Sequence, residues 1–324
     1  MRYRILLNLG RVCLAMLFVG CSTRNSVMEQ IYEAEALVQD NPKEALEAIR
    51  SVERESLRGD RDKARYALVM TEAMYHNYID SDNDSLSRPM AEYYFATNDH
   101  HQRARALYQH SLIVQRQGMD HLADAMLWLL EAEKSIEYVD DIKLKGLIHR
   151  SKADIYGKGC LFANALDSYR QAKECFERSG DEYHCASVLY DMGATYIQLR
   201  DNDNAHEALN QALSYGIATQ NKPFTAAVLH ELLDLTIYMH DYELCRKYLN
   251  LFQSEDCALF GKAHIMSMEA MLLSHVGKKA EALAMLDEAK HEEGVEWADL
   301  EYAYYIVYRN TGDMTNALRW EESS

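Results

Sequence analysis

The apolar positions of this chain fall three and four residues apart over long stretches, with no sustained alternating run, so the pattern predicts helices throughout. From Ala153 one spacing recurs: Ala153, Tyr156, Ala165, Tyr169 and Ala172, then Gly193, Tyr196, Ala205, Leu209 and Ala212. It returns at Leu232, Leu235, Leu244, Tyr248 and Leu251, and again at Ala270, Leu273, Ala282, Leu286 and Ala289. A further copy begins with Tyr305, Tyr308, Gly312 and Ala317, and a looser earlier one ends with Ala125, Leu129 and Ala132. Successive copies start 40, 39, 38 and 35 residues apart. Residues three and four apart share a helix face, so each copy predicts two apolar stripes that close into a helical hairpin. Gly193 and Ala205 are expected where its two helices approach most closely. Turns are expected at Gly157 and Gly159, at Asp201 to Asn204, at Gly277, and at Gly312 followed by Asp313.

This repeat resembles the longer-helix form of the tetratricopeptide unit, whose period is roughly 34 residues. The fold expected is all-α, a right-handed alpha-solenoid of stacked hairpins with a concave groove as its working surface. Before the clear repeats, Asn41 as N-cap and Pro42 at the first helical position mark a helix with Ala45, Ile49 and Val52 on its apolar face. Further helices are expected from Asp62 to Ile79, through Met90 and Tyr94, and from about His101 to Gln117. Residues 28–100 are read as divergent helical repeats and 101–324 as the regular ones, the last incomplete.

Composition agrees: 3 Pro and 14 Gly in 324 residues leave few helix breakers. The N-terminus has its own pattern. Arg2, Arg4 and Arg11 lead into the apolar stretch Val12 to Gly20, too short for a permanent transmembrane helix, and then Cys21. Residues 1–20 therefore read as a secretory signal, followed by a short linker over 21–27. Leu17, Phe18, Val19, Gly20 and Cys21 resemble a bacterial lipobox, although Phe18 stands where leucine is usual. The resemblance implies lipidation of Cys21 and a stable membrane anchor. An ordinary cleaved signal and an uncleaved anchor are the alternatives. In the bacterial lipoproteins that this segment resembles, a serine such as Ser22 after the cysteine and the lack of an acid through Ser26 imply the periplasmic face of the outer membrane.

Four short stretches, Ala64-Arg65-Tyr66-Ala67-Leu68, Asn77-Tyr78-Ile79-Asp80, Asp84-Ser85-Leu86 and Tyr93-Tyr94, resemble the tetratricopeptide lipoproteins of Bacteroidota. That likeness implies a non-catalytic scaffold in the cell envelope that binds a protein or peptide. Longer relatives continue beyond the repeats, so the chain end at Ser324 also allows the truncated sensor portion of a signalling regulator.

Charge narrows the partners. Removing residues 1–20 takes three Arg and no acid from 34 basic and 51 acidic residues, leaving a net of −20. Nucleic acid is an unsuitable partner, because binding it needs a basic stripe. Of seven cysteines, Cys160, Cys175, Cys185, Cys245 and Cys257 remain beyond Cys13 and Cys21, an odd number that is no disulfide framework. Cys175 closes one hairpin and Cys185 opens the next helix, so a bridge across that turn is possible, but buried or idle thiols are the reading preferred, since connectivity is not readable from sequence.

Little chemistry emerges. Asp80, Asp82 and Asp84 imitate the start of a calcium loop, but Ser85 replaces its glycine and Ala91 its closing glutamate. His100 and His101 lack nearby ligands, and His230-Glu231 lacks a second zinc-binding histidine. No catalytic residue, metal site or cofactor is expected. Groove residues are nominated from the first helix of each pair: Arg150, Asp154, Tyr190, Gln198, His230, Met268, Met271, His275, Tyr302 and Arg309.

Overall fold

The computed structural model describes residues 27–254, 261–292, 295 and 297–321. The signal segment, Cys21, Cys257 and Ser324 lie outside them. Contacts divide the chain between Ser179 and Gly180 into two compact units, whereas the sequence suggested a change of character near residue 100. The first unit runs α1 (27–37), α2 (Pro42–Arg50), α3 (Gly59–His76), α4 (Ser87–Phe95), α5 (His100–Arg116), α6 (Leu122–Ile136), α7 (Ile142–Lys158) and α8 (Phe162–Ser179). The second runs α9 (Glu182–Gln198), α10 (Asn202–Ala218), α11 (Lys222–Tyr238), α12 (Tyr242–Ser254), α13 (Lys262–His275), α14 (Lys279–Ala289), α15 (Trp297–Asn310) and α16 (Met314–Glu321). No strand occurs among the described residues.

Within each unit consecutive helices pack as antiparallel hairpins, four per unit. The two helices of a hairpin are buried differently. Second helices bury one stripe, such as Ala165, Tyr169, Ala172 and Phe176 on α8 or Ala282, Leu286 and Ala289 on α14. First helices are buried around most of their circumference: α5 hides Ala104, Ala106, Leu107, Tyr108, Gln109, His110, Ser111, Ile113 and Val114. The cause is stacking, since first helices of neighbouring hairpins also touch one another, α3 on α5 on α7 and α13 on α15. Hydroxyls buried there turn back onto their own helix, as when Thr71 Oγ1 donates to the Leu68 carbonyl at 2.9 Å and Ser274 Oγ to that of Met271 at 2.6 Å.

Helix starts follow the acidic caps. Asp99, Asp141, Asp181 and Asp201 each accept from the backbone N–H three residues on. Asn41 occupies the cap position of α2 without a side-chain bond, so Pro42 alone shapes that start. Inside the last five hairpins one turn recurs, closed by a left-handed residue: Cys160 (φ 58°), Arg200 (59°), His240 (58°), Gly277 (80°) and Gly312 (76°). The next N–H reaches back to the last helical turn, Leu161 to the Tyr156 carbonyl at 2.9 Å and Asp201 to that of Tyr196 at 3.0 Å. The first of these turns falls at Gly159 and Cys160, next to the glycines expected there, but Cys160 rather than a glycine takes the left-handed position.

The turn at His240 also corrects the third repeat by one residue. Asp241 N–H bonds the Thr236 carbonyl at 2.9 Å, where Tyr196 and Leu273 serve in neighbouring copies. The repeat therefore reads Leu233, Thr236, Cys245, Leu249 and Phe252. Cys245, Leu249 and Phe252 are completely buried, while Leu244 and Leu251, chosen from the sequence, are half-buried.

Candidate binding site

The first unit lines up α1, α3, α5 and α7, and a cleft of about 550 Å³ opens across them. Each helix contributes one or more polar groups to it. Glu35 comes from α1 and Gln39 from the turn after it, Glu72, Tyr75 and His76 from α3, and Arg105, Tyr108 and Gln109 from α5. Leu144 and Leu147 of α7 form an apolar wall, and His101 Nε2 meets the α7 cap Asp141 at 3.0 Å along one edge.

Arg105 organises the floor. Its Nη1 donates to Glu35 at 2.6 Å, and its Nε and Nη2 clasp Glu72 at 2.9 and 2.5 Å. Arg65 pairs with Glu35 from the other side. Burial works against the Arg105 charge, yet the attraction and hydrogen bonds of Glu72 and Glu35 raise its pKa. Beside it the buried Tyr108 hydroxyl is pushed well above the ordinary tyrosine range by burial and by its bond with Tyr75.

The nominated groove residues divide. On α7, Asp154 accepts from Tyr169 Oη at 2.7 Å, and burial raises its pKa against the pull of Arg150. Both also act electrostatically on Tyr108 of the cleft, whose lining does not include them. In the second unit, Tyr190 Oη donates to Glu231 at 3.3 Å; burial and then that carboxylate push the tyrosine up to about 12. His230 stacks on His264 with ring centroids 4.2 Å apart. His264 sits between Asp234 at 3.7 Å and Asp299 at 3.5 Å, and its hydrogen bond lowers the Asp299 pKa. His275 stacks on Tyr242 at 4.0 Å, and Arg309 reaches His240 at 3.4 Å and lies over the Tyr305 ring. Tyr302 and Gln198 are exposed.

Met268 and Met271 do not line an open surface. They are 4% and 1% exposed, within the core that joins α11, α13 and α15. On a helix buried nearly all round, sequence spacing alone does not mark the narrow open stripe.

No protein-family model matches the chain, and no curated protein matches its sequence. Solved structures do. The apo form of RapI shares a TM-score of 0.71 at 13% identity, over 92% of this chain and 86% of that one. The fold is of the tetratricopeptide type. A Rap protein complexed with competence and sporulation factor scores 0.59 at 13% identity, over 93% of this chain and 86% of that one. A tetratricopeptide repeat protein from Parabacteroides merdae scores 0.53 at 16% identity, over 81% and 91%.

Other features of the sequence find structural uses. The acidic turn is held by cations and an amide: Asp84 by Arg88 at 2.8 Å, Asp80 by Arg116 at 2.8 Å, and the Asp82 carbonyl by Gln117 at 2.9 Å. His100 stacks on Tyr138 at 4.5 Å. Cys175 is a free buried thiol, so the bridge to Cys185 is not made. Among the described residues no three metal-ligating side chains converge, and no helix is long and apolar enough to cross a membrane.

The cleft of the first unit was not nominated from the sequence, because its helices depart from the repeat spacing. A signal was nevertheless present: Glu72 follows the apolar run Ala67 to Met70 of α3, and Arg105 and Gln109 stand among Ala104, Ala106, Leu107 and Tyr108 of α5. Polar groups placed there are costly unless they serve one another or a ligand.

Proposed function

We propose that this chain is a membrane-anchored, non-catalytic tetratricopeptide lipoprotein of the bacterial cell envelope that binds a protein or peptide segment along the first-helix face of its repeats. The observation carrying this reading is the cleft across α1, α3, α5 and α7, which combines an apolar wall with inward polar groups. A Rap protein with the same kind of fold is solved in complex with competence and sporulation factor, which supports a binding role for a fold of this kind. Support for the anchor comes from the basic start, the short apolar stretch and Cys21. The segment after Cys21 supports the periplasmic face of the outer membrane as its site.

Two experiments test the two halves. A photo-crosslinking residue at Leu147, expressed in the native envelope, is expected to trap one partner that a residue placed on the outer face of α8 does not. Equal trapping from both positions sinks the binding half. Replacing Cys21 with Ser is expected to move the chain from the membrane to the soluble fraction, and retention in the membrane sinks the lipoprotein half.

A further inference from the structure

Every charge in the cleft of the first unit already has a partner. Arg105 is committed to Glu35 and Glu72, Asp141 to His101 and to the Leu144 N–H, and Lys143 is also engaged. A charged ligand group entering here would meet no free counter-charge and would have to break one of these pairs. The uncommitted group is an amide. Gln109 is 6% exposed and lines the cleft, and no side-chain hydrogen bond ties its amide to a described residue. An amide that faces the open cleft without a protein partner is left to water, which a ligand offering the same hydrogen bonds can replace. A primary amide offers one acceptor and two donors in a plane, which matches the C=O and N–H of a peptide backbone.

We propose that this cleft binds an uncharged, extended peptide segment, with Gln109 hydrogen-bonding its backbone and an aliphatic side chain seated on Leu144 and Leu147. The assignment rests on the binding reading above and names the chemistry of what is bound. The backbone amide supplies the polar complement, and the α7 wall rewards burial of a Val, Ile or Leu side chain. Specificity then comes from shape and hydrogen bonding rather than from charge, despite the acidic surface of the whole molecule.

The test pans a random hexapeptide display library against the full chain in mild detergent, then measures the affinity of the resynthesised winners by fluorescence anisotropy. The winners are expected to be net neutral and to carry an aliphatic residue. Their Kd is expected to change less than about twofold from low to high salt. Gln109→Leu, close in volume, is expected to weaken them by about tenfold or more. Leu147→Arg, on the half-buried wall, is expected to weaken them as well, and the melting temperature of each variant confirms that it is folded. Winners rich in Lys and Arg or in Asp and Glu, or affinities unchanged in both folded variants, overturn this assignment and leave the general binding reading standing. A library with no winner at all overturns the binding reading and this assignment with it.

Discussion

Gly193 on α9 packs directly against Leu209 on α10: a Cβ added to Gly193 would lie 2.6 Å from Leu209 Cγ and 2.7 Å from its Cδ2. Leu209 is completely buried and cannot swing into solvent. Gly193→Leu is therefore expected to force α9 and α10 apart and to cost on the order of 1 to 3 kcal/mol. Chemical denaturation measures it. An unchanged midpoint would show that the two helices do not meet at this residue.

Arg200 closes the same hairpin in the left-handed region, at φ 59°. A side chain there carries a penalty of about 1 to 2 kcal/mol that glycine escapes, while glycine adds back part of it through unfolded-state entropy. Arg200→Gly is expected to stabilise the chain by about 0.5 to 1 kcal/mol. Arg200→Ala keeps the Cβ and is expected to give no such gain. A glycine variant that melts no higher than the alanine variant refutes the argument.

These two residues also show what the sequence discloses. Leu209 is legible because second helices such as α10 bury one stripe, and a single stripe leaves a clear three-four period; Gly193 on α9 follows from its fixed offset to that stripe. First helices such as α13 are buried nearly all round, so the period fades and Met268 and Met271 pass for surface residues. The leucine-rich run of α11 obscured the register by one residue, since Leu232 and Leu233 are both completely buried. Only backbone geometry at His240 separates them, and a histidine carries no left-handed signal of the kind Gly277 gives. The Arg105 network escaped for another reason: Glu35 and Arg105 are 70 positions apart and meet only when α1, α3 and α5 stack.

His110 links stability to pH. Its Nδ1 lies 2.9 Å from Ser87 Oγ, its ring packs edge-on to Trp128, and it is completely buried. Burial, reinforced by Arg88, lowers its pKa from 6.5 to about 4. Above pH 6.5 the residue is neutral in both folded and unfolded chains and contributes no pH dependence. Below it the unfolded chain takes up a proton that the fold refuses, so stability is lost as pH falls from 6.5 towards 4. The full effect is on the order of 3 kcal/mol. His110→Asn is expected to flatten the slope of unfolding free energy over that window, whatever its effect at neutral pH. Parallel slopes for the two proteins would exclude His110 as the titrating group.

Arg105 holds two largely buried carboxylates. The side chains of Glu35, Glu72 and Arg105 are 15%, 10% and 15% exposed. Arg105→Met removes the cation while nearly matching its apolar stem, and leaves Glu72 with no cation and Glu35 with Arg65 alone. Stranding a largely buried carboxylate is expected to destabilise the first unit by about 3 to 5 kcal/mol. The diagnostic is the second substitution. Glu72→Gln added to Arg105→Met removes the stranded charge and keeps an amide of the same shape, so the double variant is expected to be more stable than Arg105→Met alone. A network worth only the sum of its contacts predicts the opposite, with each substitution adding its own loss. Denaturant unfolding of the wild type, both single variants and the double variant closes the cycle and decides between them.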